Sequence, residues 1–167
     1  MRKAIILLGI FLIAWRLAIG AEGLVMKLKS PEFKNNEYIP KRFTCSGENV
    51  NPALIIEATP TDTKSLALIF DDPDAPSGDW VHWMVFDMPV VSKIEENSMP
   101  GKQGVNDFGR IGYGGPCPPF GTHRYIFKAY ALDTKLNLEE GLAKADLEKA
   151  MAGHILAKAE LTGLYKK

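Results

Sequence analysis

The amino-acid sequence predicts a mainly β, loop-rich fold. The chain has 167 residues, and its 11 Pro and 15 Gly are more than a helical bundle of this size tolerates. Short apolar runs and runs that alternate apolar with polar residues recur along the chain, whereas helical spacing is confined to the region after Asn137. No internal repeat or long linker interrupts residues 22–167, so we expect a single domain there.

Five segments before the helical region have the pattern of β-strands. Residues 24–29 alternate between apolar and polar side chains, which indicates a strand with one solvated face. Residues 54–58 and 66–70 are short apolar runs, and the second is apolar enough to be buried on both faces. Residues 81–88 and 123–132 are the longest strand candidates.

The C-terminal region combines helix and strand patterns. Residues 138–145 and 145–151 are rich in Ala, Leu, Glu and Lys, which predicts one or two short helices. Gly153 ends that pattern, and the alternation over 155–161 predicts a final strand, with a helix as the competing interpretation. The charged residues from Lys144 onward are interpreted as a solvated face.

Residues 1–21 have the character of a secretory signal peptide. Two basic residues precede an uncharged run over 4–15, and the small residues at 18–21 suit a cleavage site after Gly20 or Ala21. Arg16 interrupts the apolar stretch, so a retained N-terminal anchor is one alternative and neither role is another. We therefore expect a periplasmic or secreted protein that contacts a membrane only through this segment if it is not cleaved.

Charge excludes two classes of protein. The chain has 20 basic and 20 acidic residues, and loss of the three basic residues in the signal segment leaves 17 basic residues and a net charge of −3. A nucleic-acid scaffold has a basic surplus, and a disordered chain has few apolar residues. With 46% hydrophobic residues and no basic surplus, the chain fits neither class.

Two cysteines allow a single intrachain pair. An oxidising compartment would let a Cys45–Cys117 disulfide persist. The alternative is two buried thiols that pack as small apolar side chains.

The segment over residues 70–88 joins two strands through an acidic loop. Four carboxylates occur within residues 71–79, and Pro73 and Pro76 restrict the backbone around them. We therefore expect a stiff surface loop. Asp72 in this loop could orient a histidine or merely cap a turn.

The strand that leaves this loop carries the first candidate binding histidine. A two-residue period places His82 on one face with Trp80, Met84 and Phe86. Burial and a nearby carboxylate would shift the pKa of His82 in opposite directions. A purely structural histidine is the alternative interpretation.

The segment over residues 113–125 has the composition of an anion cradle. Three glycines let backbone amides approach a ligand, and three prolines keep the loop open. His123 and Tyr125 follow on one strand face and add side-chain donors. The segment matches neither a phosphate P-loop nor a zinc motif, and no cofactor is expected.

These two segments resemble the two signature regions of a known family. The matching motifs are Asp-Pro-Asp-Ala-Pro at 72–76, Trp-x-His at 80–82, and Gly-Pro-Cys-Pro-Pro followed by Gly-Thr-His-Arg-Tyr at 115–125. They resemble the phosphatidylethanolamine-binding proteins, also called Raf kinase inhibitor proteins. The bacterial branch of the family is similar to this chain further at residues 43–45, 51–54 and 153–154.

The resemblance implies a β-sandwich with a large central antiparallel sheet, a few short helices and a small anion pocket. Cys117 stands where eukaryotic members have a glycine, and their C-terminal helix has no counterpart here. By position, the resemblance assigns eight residues to the pocket: Asp72, Pro76, Trp80, His82, Cys117, Pro119, His123 and Tyr125.

Three functions are therefore weighed. The first is an exported, non-enzymatic protein that binds phosphate or a phospho head group, with a kinase-inhibitor-like regulatory role implied by the resemblance. The second is a hydrolase that uses Asp72, His82 and His123 as acid and base groups or as metal ligands. The third is an interaction module that binds a partner protein through a surface away from the pocket.

Overall fold

The computed structural model describes residues 25–167, so the predicted signal peptide over 1–21 lies outside the described residues. The described part folds as two β-sheets and one α-helix, which confirms the prediction of a mainly β fold. Within this part, no helix has both the length and the apolar character needed to cross a membrane.

The larger sheet has six strands. All neighbouring strands in it are antiparallel except β2 and β9, which are parallel. In spatial order the strands are β2 (Glu37–Tyr38), β9 (Ile155–Lys166), β8 (Thr122–Leu132), β4 (Ser65–Asp72), β5 (Trp80–Met88) and β7 (Lys102–Gln103).

The smaller sheet has three antiparallel strands, and two short helical elements complete the fold. The strands are β1 (Lys27–Lys29), β3 (Leu54–Glu57) and β6 (Lys93–Ile94), in the order β1-β3-β6. A 3-10 turn covers Lys41–Phe43, and the helix α1 covers Lys144–Met151.

The main core contains residues of both sheets. Leu54 and Ile56 of β3 belong to the same buried cluster as Leu68 and Phe70 of β4. A second cluster includes Ile69 on the opposite face of β4, where α1 packs. Every residue of β4 is buried, as its continuous apolar run predicts.

The C-terminal prediction is confirmed for the strand and wrong for part of the helix. β9 pairs with β8 from Ile155 to Lys166, so the strand is stabilised by a long antiparallel ladder. Residues 138–143 are not helical. The positive φ angles of Asn137 (54°) and Gly141 (81°) turn the backbone away from a helix, while Leu138 and Leu142 pack against the second core.

The pairing of β4 with β5 contains a bulge at His82. Phe70 pairs with Trp83, but Asp71 pairs with Val81, so His82 is an extra residue on β5. Such bulges redirect a side chain and are common beside functional sites.

The bulge overturns one expectation about His82. Met84 and Phe86 lie in the second core, whereas the imidazole of His82 lies 5.3 Å from the ring of Phe70 in the main core. The prediction that His82 shares a face with Met84 and Phe86 is therefore wrong, because the extra residue resets the alternation. The bulge leaves His82 and Trp80 lining one cavity.

Candidate functional site

A cavity of about 310 Å³ lies where β4 ends and β5 begins. Its walls are largely apolar, and the carboxylate of Asp72 and the imidazole of His82 are its buried polar groups. Six of the eight residues assigned from the resemblance line it, and the other two, His123 and Tyr125, lie behind this wall. The lining residues are Asp72, Ala75, Pro76, Ser77, Trp80, His82, Phe108, Cys117 and Pro119.

Asp72 and His123 form a buried pair at this site. Oδ2 of Asp72 lies 2.8 Å from Nδ1 of His123, and both side chains are almost fully buried. Oδ1 of Asp72 accepts a hydrogen bond of 2.9 Å from the backbone N–H of Asp74. The carboxylate that the sequence left between two roles therefore does both: it caps the turn and holds a histidine.

His82 is held by a backbone carbonyl. Nδ1 of the imidazole lies 2.6 Å from the carbonyl oxygen of Gly114, which can only accept, so Nδ1 carries the hydrogen. Within residues 25–167, Nε2 makes no hydrogen bond, and His82 lines the cavity. Burial lowers the pKa of His82, although the Gly114 carbonyl and the charge of Asp72 oppose that shift.

Tyr125 brings an unpaired hydroxyl to the same region. The side chain is fully buried, and its hydroxyl has no hydrogen-bond partner in the described part of the chain. Burial raises the pKa of Tyr125 far above its usual range, and the negative charge of Asp72 adds to the shift. The ring of Tyr125 stacks near that of His123, with 6.4 Å between their centroids.

Two glycines of the expected anion cradle serve packing instead of ligand binding. The N–H of Gly114 donates to the carbonyl of His82, and the N–H of Gly115 donates to Oδ1 of Asn49 at 2.7 Å. A Cβ at Gly115 would lie 2.5 Å from the carbonyl oxygen of Phe43. The expectation that these two amides cradle an anion is wrong, because both are already paired within the protein.

The two cysteines are bonded to each other, which is one of the two alternatives posed by the sequence. The Cys45–Cys117 disulfide links positions 72 residues apart, and the N–H of Cys45 also donates to the carbonyl of Pro116 at 3.1 Å. Because Cys117 lines the cavity, the disulfide fixes that wall to the turn that precedes Cys45.

The acidic loop is locally neutralised. Each of its four carboxylates lies within ion-pair distance of a basic side chain from β8 or α1. The pairs are Asp71 with Lys128 and Lys144, Asp72 with His123, Asp74 with Arg124, and Asp79 with Lys144.

Three cavity residues were not singled out from the sequence. Ala75 and Ser77 lie inside the stiff loop that was predicted, so its proline spacing was the available signal. Phe108 lies in a turn closed by a hydrogen bond from Gly109 to Asn106, and no motif marks it. Its ring meets that of His82 edge-on at 5.2 Å.

The arrangement bears on the metal alternative. Across residues 25–167, no three His, Cys, Asp or Glu side chains converge as metal ligands would. Nδ1 of His82 and Nδ1 of His123 are both engaged by protein acceptors. What the site offers chemically is one buried imidazole nitrogen, a buried carboxylate–histidine pair and apolar walls.

Comparison with known proteins gives a consistent relationship. The sequence model described as phosphatidylethanolamine-binding protein matches residues 29–166. A UPF0098 protein of Methanothermobacter thermautotrophicus is 49% identical over 150 residues, which are 85% of this chain and 99% of the relative. A UPF0098 protein of Aquifex aeolicus is 45% identical over 96% of this chain and 99% of the relative.

Two solved structures are also similar. A homolog of phosphatidylethanolamine-binding protein from Chlamydia trachomatis, CT736, superposes with a TM-score of 0.83 at 45% identity over 86% of this chain and 98% of that chain. YbcL of E. coli, described as a member of the mammalian PEBP family, has a TM-score of 0.79 at 32% identity over 85% of this chain and 98% of that chain. The chain therefore belongs to the phosphatidylethanolamine-binding protein family.

Proposed function

We propose that this chain binds a small anion, phosphate or a phospho head group, in the cavity between Asp72 and His82. The observation that carries the proposal is the free Nε2 of His82 at the wall of a preformed cavity. Membership of a family named for binding phosphatidylethanolamine, whose head group carries a phosphate, supports a phospho ligand.

The apolar walls favour a ligand with an organic substituent. Trp80 and Phe108 pack edge-to-face at 5.5 Å, and Pro76 and Pro119 complete this part of the lining. Small-molecule sites commonly combine such walls with a few placed polar groups. We therefore expect an organic phosphate to bind more tightly than inorganic phosphate.

The polar groups set how an anion can be held. Within the described residues, no Lys or Arg side chain lines the cavity, and Asp72 is negative. Nε2 of a neutral His82 is an acceptor, so an anion is bound when Nε2 takes up a proton or when the ligand itself donates one. The affinity then depends on local hydrogen bonds rather than on long-range attraction.

The test is a titration with phosphoethanolamine followed by calorimetry. Wild-type chain should bind it saturably, and His123→Ala should lose binding because Asp72 would no longer be held. Normal binding by His123→Ala would show that the site is elsewhere. Exposed His154, paired with Asp133 far along the chain, provides the control variant His154→Ala.

Binding without turnover is part of the proposal. The alternative of a hydrolase with Asp72, His82 and His123 as acid and base groups predicts that phosphate or carboxylate esters are consumed. Release of product from p-nitrophenyl phosphate or acetate, lost in His82→Gln, would favour the enzyme.

Export to the periplasm or the medium is also proposed. Its supports are the signal-like composition of residues 1–21 and a disulfide, which persists most readily in oxidising compartments. N-terminal sequencing of the chain recovered from fractionated cells tests this: a start near Glu22 supports export, and an intact N-terminus in the cytosol contradicts it.

A further inference from the structure

The loop over residues 73–79 forms one wall of the cavity but makes few contacts of its own with the rest of the fold. It supplies Ala75, Pro76 and Ser77 to the lining. Its internal bond joins the N–H of Gly78 to the carbonyl of Ala75 at 3.0 Å. The side-chain hydrogen bonds that reach from it to other elements come from Asp74 and Asp79, near its two ends.

Asp74 attaches the first end of the loop to β8. Its carboxylate accepts hydrogen bonds from the backbone N–H, Nε and Nη2 of Arg124, at 2.9, 2.9 and 2.6 Å. The hydrogen bonds from Arg124 lower the pKa of Asp74 to about 2, so this carboxylate is charged at neutral pH.

Asp79 attaches the other end of the loop to α1 through Lys144. Nζ of Lys144 contacts Oδ2 of Asp79 and also lies 2.9 Å from Oδ2 of Asp71. Asp71 precedes Asp72 on β4, and successive strand residues point to opposite faces. One ammonium group on the far face of the sheet thus contacts both the loop and the strand that carries Asp72.

The surroundings of Lys144 differ from those of an ordinary surface lysine. Its side chain is only 20% exposed, and Asp71 is fully buried. Burial alone would lower the pKa of Lys144, but hydrogen bonds from its ammonium to Asp79 and Asp71 outweigh that effect and raise it. The interpretation of this region as a solvated face is therefore wrong for Lys144.

We propose that Lys144 is a positioning residue for the cavity: it holds Asp79 and, through it, the wall formed by residues 73–79 and the adjacent Trp80. This inference rests on the proposed function for its consequence, but the position of Trp80 can be measured without any ligand. Trp80 follows Asp79 directly and lines the cavity, whereas the indole of Trp83 donates to Gln103 at 2.7 Å on the other side of the bulge.

The experiment uses ¹⁹F NMR of the full chain labelled with 5-fluorotryptophan, without ligand. The Trp80 signal is identified by its loss in Trp80→Phe. Lys144→Met should shift or broaden the Trp80 signal and leave the Trp83 signal, which reports an intact fold, in place. Lys144→Arg should restore the Trp80 signal, because the guanidinium can still bind Asp79.

Two further variants show whether Lys144 acts through Asp79. Lys149→Met removes the same charge from an exposed position of the same helix and should leave both signals unchanged. Asp79→Asn should reproduce the change seen in Lys144→Met, and the double variant should add little to it. An unchanged Trp80 signal in Lys144→Met overturns the inference.

Affinity for phosphoethanolamine, measured on the same proteins, separates this inference from the proposed function. Lys144→Met should weaken binding by a factor of roughly 3 to 30, the range of couplings between linked residues. If the wild-type chain does not bind, the proposed function fails while the Trp80 signal still decides the role of Lys144. If Lys144→Met moves the Trp80 signal but binds as tightly as the wild type, the wall it positions does not contact the ligand, and the inference is contradicted.

Discussion

Oδ2 of Asp72 and Nδ1 of His123 lie 2.8 Å apart inside the protein, at the end of one strand and the start of another. Because Oδ1 of Asp72 is occupied by the N–H of Asp74, both oxygens of the carboxylate are committed to the protein. Asp72 therefore organises the wall of the cavity and contributes negative charge there, which leaves His82 as the group that can donate to an anion once its Nε2 is protonated.

Removing one member of this pair should destabilise the fold more than removing both. His123→Ala leaves a buried carboxylate without its partner, and breaking a buried pair in this way costs about 3 kcal/mol or more in the free energy of unfolding. Asp72→Ala with His123→Ala should recover part of that loss. A double-mutant cycle by urea unfolding measures the coupling, and strictly additive effects would contradict the pairing.

Anion affinity should fall as pH rises. The pKa of His82 lies below its ordinary 6.5 because the ring is buried, so the cation that donates from both nitrogens forms only at lower pH. Sulfate, which does not titrate near neutrality, should bind more tightly at about pH 5 than at about pH 8. His82→Gln should flatten the dependence, and affinity that is constant or rises with pH in the wild type would contradict the role of His82. The charged groups that face this ring, Asp72 and His123, are retained in that variant.

His82 should also make the free protein less stable in acid. A buried histidine whose folded pKa is lowered binds fewer protons than in the unfolded chain, so the stability it leaves intact above about 6.5 is lost as pH falls toward the folded pKa. In His82→Phe, the free energy of unfolding should fall less steeply between about pH 6.5 and pH 5 than in the wild type. Parallel curves for the two proteins would argue against a lowered pKa.

Reduction of the disulfide should weaken the fold. The bond closes a loop of 72 residues, and its restriction of the unfolded chain corresponds to about 4 kcal/mol on the chain-entropy model. Cys45→Ser with Cys117→Ser should unfold at lower urea concentration, and the wild type with reductant should match it. If reductant has no effect on the unfolding midpoint, the sulfurs are not bonded in solution.

Gly115 should not tolerate a side chain. A Cβ there would come within 2.5 Å of the carbonyl oxygen of Phe43 and 2.7 Å of Oδ1 of Asn49, and a backbone carbonyl cannot move aside cheaply. Gly115→Ala should lower the free energy of unfolding by about 1 to 3 kcal/mol, as overpacking does. A melting temperature equal to that of the wild type would show that the contact relaxes freely.

The strands of the large sheet could be read from the sequence because burial on one or both faces leaves a regular pattern. The apolar run over 66–70 and the alternation after Gly153 both fall within the observed strands β4 and β9. The bulge at His82 left no such signal, because a register shift depends on the partner strand and not on local composition.

The candidate site was predictable only in its motif-bearing parts. Six of the residues assigned from the resemblance line the cavity because they lie in the two signature segments. Phe108 and Lys144 come from a turn and a helix whose sequences carry no motif, and long-range packing brings them to the loop. The amides of Gly114 and Gly115 were misread, because their hydrogen-bond partners are distant in sequence.

The most direct test of the central claim is a titration of ¹⁵N-labelled chain with phosphoethanolamine, followed by two-dimensional NMR. Binding in the cavity predicts saturable shifts that are largest for amides around Asp72, His82 and Cys117 and that disappear in His82→Gln. Shifts that do not saturate, or saturable shifts centred on another surface, would contradict the assignment of this cavity as the anion site.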